Sequence, residues 1–178
     1  MIQAMARVGA HGSEAVTAAE WERRKQFVRF TEEDAQLLRE LHPLTAAMAD
    51  EVMEELYRQL LQFEENKAFF PDAPAITRVK AMQKTYFLSL TQGEYGEAYL
   101  ADRLNIGRVH QRIGLSPRWH MGTYALYWQL VLPRLMNAFH ADAGRLPRLL
   151  LALIKIMKLD EELAVTAYIA AAKGITRG

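Results

Sequence analysis

The chain has 178 residues, 51% of them hydrophobic and 24% charged, a balance that suits one soluble globular domain large enough to bury a core. Its net charge of +1, with Lys and Arg scattered among Asp and Glu, offers no clustered basic face for nucleic acid or an acidic membrane surface. There is no cysteine, so disulfides and thiolate-held metal centres of every kind are excluded.

Residues 1–10 lack the apolar core and cleavage pattern of a signal peptide. The most apolar run, residues 149–154, is far short of the roughly 20 residues that cross a bilayer. A cytoplasmic protein that neither spans nor binds a membrane is therefore expected. Gly9, Gly12 and Ser13 mark residues 1–16 as a disordered tail, followed by a single domain over residues 17–172 and a short tail over 173–178.

Residues 17–29 read as a short helix with Trp21, Phe27 and Val28 turned inward. Thr31 then offers an N-cap with Glu32, Glu33 and Asp34 in the first turn. That helix carries Leu37, Leu38 and Leu41 and is expected to stop near His42 and Pro43, with Pro43 opening the next one. From Leu44 the positions Ala47, Met48, Val52, Met53, Leu56, Leu60 and Leu61 recur at helical spacing, with Tyr57 at the edge of the stripe.

Phe63, Phe69 and Phe70 fall in a less regular connection that Pro71 and Pro74 interrupt. Helical spacing resumes over residues 76–90 through Val79, Met82, Gln83, Tyr86 and Phe87. Gly93 and Gly96 break the chain before a helix over 98–113. Ser116 and Pro117 start a long helix that reaches about residue 139, with Pro133 expected to kink it or weaken one backbone bond. The last helix, residues 146–172, is rich in Leu and Ile on more than one face, and Glu161 and Glu162 read as a solvated patch. No strand-type alternation occurs, so the fold class is all-α with about eight helices.

One histidine carries chemistry. His110 stands near a helix end, followed by Gly114 and then the Ser116–Pro117 helix start. A neutral imidazole so placed can hold a metal from one side, and a helical chain without cysteine has few other ways to bind a redox-active group. Read alone, His110 is equally a core histidine. His11, His42 and His140 lack such a context and read as surface or loop residues. No carboxylate pair, nucleophile–base pair or phosphate loop is present to support an enzyme such as a hydrolase.

The run from Val109 to Trp119, His-x-x-Ile-Gly-Leu-x-Pro-x-Trp from His110 onward, resembles the globin domain of globin-coupled sensors, a protoglobin-related globin lineage. The order of helices, Tyr57 on a long early helix, the segment 30–38 and the segment 159–164 are similar too, so the likeness covers about residues 20–172. It implies a globin-like fold with an extra N-terminal helix and haem b as cofactor. His110 is then the proximal iron ligand and Tyr57 the distal residue facing a diatomic gas, O2 first and CO or NO besides.

Phe69, Phe70, Val79, Met82, Ile106, Ile113 and Trp119 become the apolar pocket wall, with the helix over 76–90 on the distal side. Gly107 and Gly114, three before and four after His110, would let a flat macrocycle approach the helix. One position departs from the family. His120 stands where a Tyr commonly follows the Trp.

The resemblance further implies a homodimer through the last two helices and a gas sensor rather than an enzyme, relaying its state to a signalling module beyond residue 178. Chemotaxis, diguanylate cyclase and histidine kinase modules are the family's outputs. A stand-alone protoglobin-like protein with O2 or NO chemistry and a haem-free globin-fold scaffold are the alternatives.

Overall fold

A computed structural model describes residues 16–142 and 144–175, with side chains described as far as Ala170. Among these residues there are seven helices and no strand: α1 (Ala18–Phe27), α2 (Glu32–Leu60), α3 (Glu64–Lys67), α4 (Ala73–Ser89), α5 (Glu97–Arg112), α6 (Pro117–Ala138) and α7 (Arg145–Ile175). Of the tail expected over residues 1–16 only Val16 is described, and it joins the core. Of residues 173–178, the first three continue α7 and the rest lie outside the described residues.

The start of α2 follows from local chemistry. The Thr31 hydroxyl accepts from the Asp34 backbone N–H while Asp34 Oδ2 accepts from the Thr31 N–H at 2.7 Å, a reciprocal capping box. Lys155 of α7 reaches over to this corner, with Nζ 2.8 Å from both Asp34 oxygens and from the Arg29 carbonyl.

The predicted break at Pro43 does not occur. Leu37, Leu38, Leu41, Thr45, Met48, Ala49, Val52, Met53 and Leu56 are all buried and form one uninterrupted stripe across it. Burial at roughly 1.5–3 kcal/mol per large apolar side chain outweighs the roughly 3 kcal/mol that an internal proline costs. The Thr45 hydroxyl donates to the His42 carbonyl at 2.9 Å and meets Thr91 Oγ1 at 2.8 Å, which ties the weakened turn to the segment after α4. His42 thus has a structural partner, its Nδ1 lying 2.9 Å from Thr91 Oγ1.

Two further prolines fall within helices. Pro74 lies in the first turn of α4, where Asp72 caps by accepting from the Ala75 N–H at 2.7 Å. Pro133 sits within α6 without ending it and faces outward. Phe27, expected inside, is 89% exposed, while Trp21 from the same helix is buried and donates to the Tyr95 carbonyl at 2.7 Å.

Packing defines the layers. α5 lies along α7 in the most extensive helix pair, α2 packs on α7, α4 and α6, and α4 and α5 hardly touch each other. The core runs between α2 and α7 through Leu38, Leu41, Met53, Leu56, Leu149, Ile156 and Leu163. No helix among the described residues is long and apolar enough to cross a membrane.

Candidate functional site

His110 owes its position to the way α5 ends. Gly114 has φ +77°, the Gly114 N–H donates to the Gln111 carbonyl at 3.1 Å, and the Leu115 N–H donates to the His110 carbonyl at 3.0 Å. This is a Schellman cap, which needs a residue free to adopt the left-handed region. It pins the His110 backbone and turns the chain directly into Ser116 and Pro117, the start of α6. Gly114 serves the turn.

Gly107 serves packing and not a cofactor. A Cβ there would lie 2.8 Å from the Ala167 Cβ and 3.1 Å from the Ala164 Cα, so the glycine lets α5 seat directly on α7. The expectation that Gly107 clears room for a macrocycle is corrected accordingly. Gly107→Val is expected to destabilise the chain by about 1–3 kcal/mol through overpacking, measurable as a lower urea midpoint.

The His110 ring is half-buried, and its Nδ1 is enclosed without a hydrogen-bond partner, whereas Nε2 is not among the enclosed atoms. Burial pushes its pKa below the ordinary histidine value, so the ring is neutral near pH 7. His120 of α6 lies next to it, ring centroids 5.0 Å apart, with an enclosed and partnerless Nε2. Burial, and then the neighbouring His110, push the His120 pKa down to about 4. Tyr124 stands edge-on to His120 at 5.5 Å, and Tyr168 of α7 lies 6.4 Å from it with a hydroxyl that is also enclosed and partnerless.

Tyr57 is buried near the end of α2, 6.0 Å from the Phe70 ring. Lys80 of α4 stands 5.8 Å over the Tyr57 ring and pairs with Glu54 at 2.6 Å. Desolvation alone pushes the Tyr57 phenol up to about 12, with neither hydrogen bond nor charge contributing. The group keeps its proton and stays a donor.

The remaining predicted wall residues divide by burial. Phe69, Phe70, Val79, Ile106 and Trp119 are half-buried, while Met82 is 66% and Ile113 50% exposed. Trp119 stacks at a tilt on Phe63, 5.1 Å away, and so joins the start of α6 to the segment that follows Tyr57. The structure thus gathers His110 with His120, and Tyr57 with Phe70. Phe63, Met82, Val109 and Ile113, all large and exposed, are borne on or beside the helices that carry these two groups.

The donor set bears on what fits here. No group of three or more His, Asp or Glu that would hold a bare metal ion exists among the described residues. One neutral imidazole with its outer nitrogen free suits an iron that brings its own equatorial ligands, as in a porphyrin. The residues therefore fit a haem. Two surface clefts, of about 370 Å³ beside Phe30 and Tyr95 and about 440 Å³ beside Phe27 and Leu159, lie elsewhere.

A second polar centre was not foreseen. Asp160 is buried, and so is Glu161, which with Glu162 is read above as a solvated patch and which pairs with Lys158 at 2.5 Å. Asp160 lies 2.6 Å from Arg103 Nε and accepts from the Tyr124 hydroxyl at 3.1 Å, the Tyr99 hydroxyl at 3.2 Å and the Tyr86 hydroxyl. Burial pushes the Asp160 carboxyl up, against the pull of Arg103 and the three phenols. Burial also works against the Arg103 charge, but Tyr99, Asp160 and Tyr86 outweigh it and hold the guanidinium protonated. No spacing rule marks these residues, because they converge from four helices.

The chain resembles known proteins in sequence and fold. It is 30% identical over 136 residues to the heme-based aerotactic transducer HemAT of Halobacterium salinarum, a match that covers 71% of this chain. It spans only 28% of that transducer's length. The fold superposes on the globin domain of a Geobacter sulfurreducens globin-coupled sensor with a TM-score of 0.79 and 26% identity, over 83% of this chain and 96% of that domain. The seven helices thus form a globin-like fold. The pattern of the Protoglobin family matches residues 17–173, from the residue that caps α1 to within α7, and the chain belongs to that family.

Proposed function

We propose that this chain is a haem-based gas-sensing domain, with His110 the proximal ligand, Tyr57 the distal residue and O2 the principal guest. The observation that carries this reading is the His110 imidazole, neutral, anchored by the α5 cap and free at Nε2, in a chain of the protoglobin family. Haem b, held here through His110, would supply an iron able to take up a diatomic gas.

The protein's own residues do the rest. His110 offers a lone pair from Nε2 and keeps its proton on Nδ1, and the neutral His120 ring packs beside it. Tyr57 offers one O–H donor from an apolar setting, which favours O2, whose bound form carries partial negative charge, over CO. Phe69, Phe70, Val79, Ile106 and Trp119 supply apolar cover, and Met82 and Ile113 supply exposed apolar surface for a macrocycle to bury.

Met136 of α6 with Leu151, Ile154 and Ile169 of α7 are large, apolar and exposed, and a second copy of the chain would cover them. The transducer HemAT is longer than the match, and a signalling module outside these 178 residues would receive the state of α7. On this reading the domain binds and reports a ligand, without catalysis, in the cytoplasm.

Tyr57→Phe tests the distal role. Losing one hydrogen bond of about 1 kcal/mol is expected to speed O2 dissociation roughly fivefold, followed by stopped-flow absorbance, with haem retained. An unaltered rate removes Tyr57 from that role.

A further inference from the structure

The buried centre around Asp160 ties together the helices that flank the proposed haem site. It takes Tyr86 from α4, Tyr99 and Arg103 from α5, Tyr124 from α6 and Asp160 from α7. The Arg103 guanidinium is sandwiched between the Tyr86 and Tyr99 rings at 4.3 and 4.2 Å, and it also reaches the Ser89 hydroxyl at the end of α4. Since α4 hardly touches α5 or α7 otherwise, this centre is where α4 is held to both of them.

Stability alone does not account for such a centre, because a buried ion pair is on balance no better than apolar packing of the same volume. Its geometry does suit a switch. Tyr86 and Tyr124 both donate to the same oxygen, Asp160 Oδ2, and their hydroxyls are 2.6 Å apart. Tyr124 has two acceptors within reach, Oδ2 itself or the Tyr86 hydroxyl, which then donates alone to Oδ2. These are two discrete hydrogen-bond patterns of one set of groups.

Two routes lead from His110 to this centre. Arg103, Gly107 and His110 are spaced to share one face of α5, and Gly107 rests on Ala164 and Ala167, one and two turns beyond Asp160 on α7. His110 also touches His120, whose ring meets the edge of Tyr124. Displacement of His110 thus reaches Asp160 along α5 and, separately, through the rings of α6.

We propose that the Asp160–Arg103–Tyr86–Tyr124 centre is the coupling element that carries the ligation state of the haem site into α7. This rests on the haem reading above. Coupling of this kind requires an element with two arrangements that both sites bias, and the shared carboxylate oxygen supplies it.

The test is amide hydrogen exchange along α7 in reduced, haem-loaded protein with and without carbon monoxide. The wild type is compared with Tyr124→Phe, which keeps the ring and removes only the hydroxyl. Carbon monoxide is expected to alter exchange in the wild-type segment 156–170, and the variant is expected to lose that response by roughly threefold or more while still taking up the gas. Tyr86→Phe, which removes the other hydroxyl on Oδ2, should lose it likewise and serves if the first variant folds poorly. An undiminished response in the variants overturns the proposal, as does a wild type that binds carbon monoxide with no change in α7; in both cases the haem reading stands. Absence of any Soret band in the wild type overturns both.

Discussion

Asp160→Ala is expected to lower stability by about 3–5 kcal/mol, the cost of leaving a buried charge without its partner. Arg103 is 3% exposed and has Asp160 at 2.6 Å, so its guanidinium would remain charged in the core with Asp102 and Ser89 as its remaining polar partners. The hydroxyls of Tyr86, Tyr99 and Tyr124 would lose their common acceptor at the same time. Against a total of roughly 5–15 kcal/mol for a domain, that loss leaves little margin.

Urea unfolding measures it, with Glu162→Ala as the control. Glu162 is two residues on, half-exposed and paired with Arg24 at 3.1 Å, and such a pair is worth at most about 1 kcal/mol. Equal losses for the two variants would show that Asp160 is as solvated as Glu162.

That contrast shows where reading the chain stops being sufficient. The end of α5 is legible because every signal is local: Gly114 in the left-handed region, Ser116 and Pro117 starting α6, and His110 fixed a turn before them. The capping box of Thr31 and Asp34 is legible for the same reason. Pro43 misleads because its local rule is sound but is overridden by a buried stripe that only the folded α2 presents.

Gly107 misreads, and Asp160 goes unmarked, for a further reason. Each looks ordinary in its own helix, a gap in one and one of three successive acids in the other. What distinguishes them comes from a different helix: Ala164 and Ala167 of α7 press on Gly107, and Arg103 of α5 meets Asp160. Phe27 errs the other way, apolar by type yet 89% exposed, because Trp21 takes the inward face of α1. The neighbour His120 was visible as a departure from the family, but only the fold sets its ring 5.0 Å from His110.

His110→Ala is expected to abolish stable haem binding while sparing the fold. The His110 ring is half-buried and its Nδ1 makes no hydrogen bond, so its removal breaks no network. A truncation of this kind costs the apoprotein no more than about 1 kcal/mol. What it removes is the single imidazole that the account assigns to iron, and free imidazole added to the variant is expected to restore part of the binding.

Titration of purified protein with haemin, followed by Soret absorbance, tests this directly. The wild type is predicted to saturate at one haem per chain with a sharp Soret band that His110→Ala lacks until imidazole is supplied. A variant that takes up haemin with the wild-type spectrum and stoichiometry would contradict the assignment of His110, and with it the account of the site.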